Sequence, residues 1–383
     1  MTDVVFHRLR VAEVIAETAE AHSLVFDPPR GRTEPLPYRP GQFLTLRIPS
    51  ERCGSVARAY SLSSSPHVDP RLQVTVKRTP DGYASNWICD NVTAGTELDV
   101  LEPAGVFTPR SLEENLLLFA AGSGITPIMS IVKSSLTAGS GRVVLIYANR
   151  DERSVIFAGE LSRLAEAHPD RLVVVHWLES VQGLPTVAGL RGLLRPFTDH
   201  EAFICGPKPF MSAVRTALRE EGVPRERTHL ERFASLGGNP FESARPADGT
   251  ATTGTTPAAT RAAENGHADT GSEPDAAGPA ATDRADGAAV GGRTATVEVE
   301  LDGERHTLPW PEGKPLLDLM REHGLDAPFS CTEGSCGACT CRVTEGEVRM
   351  RRNQVLEDED LAEGYVLACQ ALPVTDAVRV DYG

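Results

Sequence analysis

The sequence predicts a multidomain chain of four consecutive units. These are an antiparallel β-barrel over residues 1–110, an α/β unit with a parallel sheet over 111–241, a disordered linker over 242–293 and an α+β unit over 294–383. Three observations predict this division. Short strand-like runs split by Gly, Pro and Asp turns fill residues 9–103, apolar strands alternate with helical segments from residue 115, and residues 242–293 collapse into Ala, Gly, Thr, Asp and Pro. A chain of 383 residues also exceeds what one core ordinarily organises.

In the first unit, residues 42–48, 72–77 and 97–101 carry the apolar and β-branched pattern of strands. In the second, a strand at 116–121 runs into a Gly turn and a helix. Further strands at 143–147, 172–177 and 202–205 alternate with helical segments, as a parallel sheet requires. The linker has almost no large apolar side chain to offset the entropy of ordering. As a flexible coil it would span roughly 40 Å root-mean-square. Beyond it, residues 295–301 and 305–310 predict a hairpin around Asp302-Gly303, residues 316–323 a helix stopped by Gly324, and residues 378–382 a closing strand.

The net charge of -15 is unevenly placed. Residues 1–241 carry 26 basic and 27 acidic side chains, the linker 4 and 8, and residues 294–383 carry 8 and 18. Such a chain repels nucleic acid and anionic membrane surfaces, while an acidic final unit can steer toward a basic protein partner or simply stay well solvated. Residues 1–10 show no apolar stretch behind a basic start, and no run approaches the roughly 18 apolar residues that span a bilayer. A cytoplasmic location without membrane contact is expected. Five of the eight cysteines fall between Cys331 and Cys369, which in a reducing compartment points to metal ligation rather than disulfides.

Cys331, Cys336, Cys339 and Cys369 are spaced C-x4-C-x2-C-x29-C, the plant-type [2Fe-2S] spacing. Gly334 and Gly337 allow the tight loop that three thiolates around a small cluster demand. Structural zinc is the alternative, but it favours paired short spacings and the second pair is missing. Cys341 reads as a small buried side chain. Residues 294–383 resemble the β-grasp ferredoxin domain, whose cluster carries one electron.

Arg58, Ala59, Tyr60 and Ser61 form an R-x-Y-S element at a strand end. An aromatic face, a hydroxyl and a cation are what a flavin needs against its ring, its N5 edge and its phosphate. Alone, the tetrapeptide is an ordinary strand with an exposed Arg. Val76, Lys77 and Arg78 follow, then Gly82 and Ser85 ahead of an amphipathic segment, with Ser85 placed to cap a helix whose N-terminus faces a pyrophosphate. Together these resemble the FAD domain of the ferredoxin-NADP reductase superfamily. The resemblance implies that Arg58 contacts the flavin phosphates, Tyr60 packs on the isoalloxazine and Ser61 approaches N5. It favours FAD, although FMN-type relatives share the element.

Gly122, Ser123, Gly124, Ile125, Thr126 and Pro127 follow the strand at 116–121. Thr126 as N-cap and Pro127 as first helical residue would begin a helix with its N-H groups and positive dipole end open to phosphate. Cys205, Gly206 and Pro207 end a later strand of the same sheet, where ligands of open α/β sheets gather. Both motifs resemble the nicotinamide domain of the same superfamily. That resemblance puts Cys205 beside the reacting ring and makes Ser61 and Cys205 the catalytic candidates. Glu231 and Phe233 stand where relatives place residues against the flavin edge. Arg150 and Arg153 follow the second strand, where a 2'-phosphate would sit; NADH is expected, with NADPH left open.

A nicotinamide releases two electrons as hydride and a [2Fe-2S] centre accepts one, so a flavin between them must divide the pair. No two-His-one-carboxylate set or haem ligand marks an oxygen site, so oxygen chemistry belongs to a partner. Residues 40–46, 74–78, 81–87, 147–157, 176–185 and 327–339 look like those of the reductase components of 3-ketosteroid 9α-monooxygenases. This resemblance implies a Rieske-type hydroxylase as acceptor. Reductases of phenylacetyl-CoA epoxidase or of aromatic-ring hydroxylases are the alternative, and a non-turnover electron carrier is the alternative outside enzymes. The long linker departs from that family's compact one and suggests a mobile cluster domain, an idea that an extensively packed interface would defeat.

Overall fold

The structure is a computed structural model that describes residues 5–51, 53–80, 82–233, 239–242, 245–246, 294–301, 303–325, 327–329, 332–334, 337–356 and 358–382. The predicted linker therefore lies outside the described residues except at its first few positions. No helix among the described residues is long and apolar enough to cross a membrane.

The N-terminal strands are β1 (Val5–Thr18), β2 (Ala21–Phe26), β3 (Phe43–Ser50), β4 (Gly54–Ser61), β5 (Leu72–Lys77) and β6 (Glu97–Leu101), with helix α1 (Tyr83–Asn91) between the last two. They form a curled antiparallel sheet in the order β4-β3-β6-β1-β2-β5. A bridge between Leu62 and Val74 draws its two outer strands together. The barrel expected from sequence is thus a sheet curled almost onto itself, filled by Leu24, Leu44, Leu46, Val74 and Val100. Curling hides the edges that would otherwise offer unpaired backbone groups.

The second sheet follows the order β11-β10-β7-β8-β9, all parallel. Its elements in chain order are β7 (Leu116–Ala121), α2 (Ile125–Ala138), β8 (Val143–Asn149), α3 (Ala158–Ala167), β9 (Leu172–Leu178), α4 (Glu179–Gln182), α5 (Val187–Leu194), β10 (Glu201–Cys205), α6 (Lys208–Glu220) and β11 (Thr228–Glu231). The central strand Leu-Leu-Leu-Phe-Ala-Ala is apolar throughout because helices cover both faces. α2 is wedged between this sheet and the barrel. Ala21 and Phe107 of the first unit enter the core around α2. Ser130 Oγ donates to Ser64 O at 2.5 Å, Ser134 Oγ bonds Ser65 Oγ at 2.8 Å, and the buried Lys133 ammonium meets Asp69 at 2.7 Å. The first two units are therefore joined by a shared core and buried polar contacts.

After β11 the chain returns to the barrel. Asn239 Nδ2 donates to Ser55, Phe241 packs edge-on against Phe6, and β12 (Arg245–Pro246) pairs parallel with the start of β1. The first positions of the predicted linker are in this way held on the sheet.

The C-terminal unit contains β13 (Thr294–Leu301), β14 (Glu304–Pro311), α7 (Leu316–Glu322), β15 (Thr340–Glu345), β16 (Val348–Met350), α8 (Asp358–Ala362), β17 (Tyr365–Leu367), β18 (Ala371–Pro373) and β19 (Ala377–Asp381). Its main sheet, β14-β13-β19-β15-β17, is parallel only between β13 and β19, and β16 pairs with β18. Gly303 at φ 80° closes the β13–β14 hairpin. Ala295, Val297, Val299, Leu308 and Trp310 alternate inward against α7, giving the mixed sheet and helix expected of a β-grasp unit.

Candidate functional site

In β4, Arg58 and Tyr60 are two residues apart and share one strand face, while the buried Ser61 takes the other. Arg58 Nη1 donates to the carbonyl of Ala57 at 2.7 Å. Burial raises the Tyr60 phenol well above its ordinary range, with the Arg58 charge opposing, so the ring stays neutral. A neutral aromatic face beside a guanidinium fits a flavin ring and its phosphates. Tyr60→Ala should release flavin on gel filtration; full retention would remove Tyr60 from the site.

Across from β4, Val76 is buried in β5 and Lys77 ends the strand. Burial, helped by Arg150, pulls the Lys77 ammonium below its usual range. Its Nζ stands 3.6 Å from where a Cβ on Gly122 would lie, so this cation faces the Gly turn of the second unit.

The two helix starts differ from expectation. Gly82, not Ser85, is the N-cap of α1. Ser85 is the third helical residue, and its buried hydroxyl accepts from Thr79 N at 3.1 Å and donates to Gly82 O at 3.4 Å. It folds the preceding turn back onto the helix instead of capping it. Likewise Thr126 is not an N-cap: a 3-10 turn over Gly122–Gly124 runs straight into α2, leaving Thr126 second in the helix with Oγ1 donating to Ser123 O at 3.0 Å. Gly122 at φ 53° starts the turn early, which moves the helix start forward. Neither helix has an acidic residue in its first turn, so both positive ends suit phosphate.

Gly124 lies where no side chain fits. A Cβ there would stand 2.1 Å from the Cys205 carbonyl oxygen and 2.8 Å from Gly206 N. The Gly turn after β7 and the Cys205-Gly206-Pro207 turn after β10 are thus in backbone contact at neighbouring strand ends, with Pro207 as N-cap of α6. Tyr147 supports the turn: its hydroxyl donates to Gly122 O at 3.1 Å and accepts from Ile156 N at 3.2 Å. Sequence reading did not single it out. The signal in the sequence is a Tyr directly after four aliphatic strand residues.

Cys205 is fully buried, and burial together with the nearby Glu231 charge keeps its thiol well above the usual range. It is therefore a neutral S-H and not a nucleophile. Glu231 pairs with it across the β10–β11 ladder, and burial pushes its carboxyl up to about 8 against the pull of Arg232. A carboxyl raised from 4.5 in the unfolded chain binds its proton more tightly when folded, so it contributes stability at low pH that is lost as pH rises through this window. Glu231→Gln should flatten the fall of urea-midpoint stability between pH 5 and 8 relative to the parent; an unchanged slope would disprove the raised carboxyl.

In the third unit, Cys339 and Cys369 are buried and brought together by the bond from Ala368 N to Cys339 O at 3.0 Å. Cys331 and Cys336 lie outside the described residues. Gln370 Nε2 ties the fourth cysteine to the loop, donating to Thr332 O at 2.9 Å and approaching Cys369 Sγ at 3.5 Å. Gly334 (φ 76°) and Gly337 (φ 74°) make the turns that a thiolate loop needs. A buried thiol at the end of this loop and a second one after β17, held against it, fit an iron–sulfur cluster. Cys341 is buried in β15, its thiol pushed up to about 12 by burial beside Tyr382, in keeping with a packing role.

The comparisons match each unit. A model of the oxidoreductase FAD-binding domain covers residues 8–108, the oxidoreductase NAD-binding domain residues 118–216 and the 2Fe-2S iron-sulfur cluster binding domain residues 299–374. The ferredoxin reductase component of 3-ketosteroid-9-alpha-monooxygenase from Mycolicibacterium smegmatis is 54% identical over 377 residues, 98% of this chain and 96% of that one. The chain belongs to the family of monooxygenase ferredoxin reductase components. The corresponding component from Rhodococcus rhodochrous is 52% identical over 98% of this chain and 96% of its own length. The reductase also shares the fold of phthalate dioxygenase reductase, with a TM-score of 0.52 and 21% identity over 98% of both chains.

The reductase brings its three units together around a cleft of about 420 Å³. Phe43 and Phe107 line it from the barrel, Glu231 from β11 with Arg232 just after it, and Ala338 and Tyr382 from the iron–sulfur unit. Ala338 is buried against Phe43 and Ala104, and Phe43 is the cross-strand partner of Ser61. Phe233, 54% exposed, follows the cleft-lining Arg232. Arg150 is bonded to Glu20 of the barrel at 2.7 Å, whereas Arg153 is exposed.

Proposed function

We propose that this chain passes electrons from NADH, by way of FAD held by residues 1–110 and a [2Fe-2S] cluster held by residues 294–383, to the oxygenase component of a 3-ketosteroid 9α-hydroxylating system in the cytoplasm. The balance is one NADH and two oxidised acceptors giving NAD+, one proton and two singly reduced acceptors. Bound flavin supplies the conversion between hydride and single electrons. The observation that carries the reading is the packing of Ala338, in the cluster loop, on Phe43, the ladder partner of Ser61. Ala59 of the R-x-Y-S element packs on the same patch, which supports electron passage from that element toward the cysteine loop.

In this reading Arg58 and the start of α1 at Gly82 and Ser85 hold the flavin phosphates. Tyr60 supports the ring, Ser61 faces N5, and Val76 and Lys77 line the opposite side. Gly122, Gly124 and Thr126 hold the nicotinamide pyrophosphate in the second unit, residues 111–241, and Cys205, Gly206 and Pro207 seat the reacting ring. The protonated Cys205 thiol offers a neutral wall there, and Phe233 covers the flavin edge until the nicotinamide enters. Cys331, Cys336, Cys339 and Cys369 ligate the cluster.

Glu20 occupies Arg150, which supports NADH over NADPH because a 2'-phosphate would have to displace that carboxylate. A higher kcat/KM for NADPH would overturn the preference. Reconstitution with purified oxygenases tests the acceptor: NADH oxidation should couple to 9α-hydroxylation of a 3-ketosteroid. Faster coupling to an aromatic-ring hydroxylase or to phenylacetyl-CoA epoxidase would assign another acceptor.

A further inference from the structure

The barrel and the α/β unit share an apolar core, but the iron–sulfur unit is joined to them differently. Among the described residues, Ala338 is buried with Phe43 and Ala104, and Ala59 packs on that patch. Beside the patch lies a set of charged contacts. Arg225, just before β11, pairs with Asp360 at 3.5 Å and with Glu363, and its guanidinium lies 5.4 Å from the centre of the Tyr365 ring. Arg232, just after β11, meets the other oxygen of Asp360 at 2.9 Å. Asp360 is only 5% exposed, while both arginines remain partly open to water. Asp360 lies in α8, Glu363 follows it and Tyr365 opens β17, which ends two residues before Cys369, so the joint is coupled by a few residues to the fourth cysteine.

We infer that Arg225 and Arg232 form an electrostatic clasp that seats the iron–sulfur unit for loading from the flavin and must open for delivery to the acceptor protein. When it opens, Asp360 and Glu363 are presented to basic side chains around the acceptor's electron-entry point. The inference rests on the proposed electron path. In the closed pose the cluster-loop residue Ala338 is buried on the barrel, so an outside protein cannot reach that side of the loop. Salt screens exposed charges separated by more than a Debye length, about 8 Å at physiological ionic strength, so it weakens the attraction that recloses an opened unit more than it weakens the closed contacts. Each NADH requires two such cycles, one electron leaving the cluster for an acceptor in each.

Two measurements on the loaded protein test this, and neither uses the oxygenase, so a failed steroid reconstitution leaves them intact. The first is small-angle scattering with stopped-flow reduction of the cluster by NADH, at low and high NaCl, for the parent, Arg225→Gln and Arg225→Lys. Arg225→Gln should expand the particle at low salt and slow cluster reduction roughly five- to tenfold, the range that coupled charge networks carry. The parent in high salt should move part of the way toward it, and Arg225→Lys should fall between the parent and Arg225→Gln at low salt. Dimensions and rates that ignore both salt and Arg225→Gln would overturn the clasp. In the second, Arg225→Lys is joined to Glu363 by a zero-length carbodiimide and the crosslink is located by mass spectrometry. NADH should still reduce the iron, while reduction of the basic acceptor cytochrome c collapses. Undiminished cytochrome c reduction by the crosslinked protein would show that opening is not required.

Discussion

Cys339→Ser is expected to give a protein that is yellow but not brown. NADH reduction of ferricyanide should continue near the parent rate, because that acceptor can be served at the flavin, while cytochrome c reduction drops to background. Iron content and the low-temperature paramagnetic signal of the anaerobically reduced protein should be lost with it. The reason is local: Cys339 is a buried thiol whose carbonyl accepts from Ala368, next to the fourth cysteine, and a serine oxygen is a harder, poorer ligand for iron in an S4 site. Equal loss of both activities would mean that electrons do not pass from flavin to cluster in that order.

Gly124→Ala is expected to damage the other end of the path. The added carbon would fall 2.1 Å from a backbone oxygen of Cys205, and a backbone atom cannot swing away as a side-chain tip can. The two turns must separate, at an overpacking cost of about 1–3 kcal/mol. Their separation displaces the N-terminus of α2 from the Cys205-Gly206-Pro207 turn, the two parts of the proposed nicotinamide site. The kcat/KM for NADH should collapse, flavin should stay bound, and dithionite should still reduce the cluster. A variant that keeps the parent's kcat/KM for NADH would show that this contact does not organise nicotinamide binding.

Much of the fold was legible because its signals are local. The strands expected at 72–77, 97–101 and 116–121 have those bounds in the structure, since alternation or a continuous apolar run bounded by turn residues is a property of a few neighbours. The helix starts were less legible. Ser85 and Thr126 are residue types that commonly cap, yet each hydroxyl reaches back to a turn whose path depends on Gly82 or Gly122. Tyr147 escaped notice because its partners Gly122 and Ile156 are brought to it only by the parallel sheet.

The same division runs through the function. Amino-acid order alone determined which chemistry this protein can hold: four cysteines at cluster spacing, an arginine, tyrosine and serine suited to a flavin, and a glycine turn ahead of a helix. Each is a short-range requirement written into consecutive residues. Only the tertiary structure decided how those parts meet. Arg225 and Asp360 are 135 positions apart and Ala338 is far in sequence from Phe43, so no local pattern could pair them. Their meeting depends on long-range packing and charge, which set the cysteine loop against the R-x-Y-S strand through a small apolar patch and a set of charged contacts.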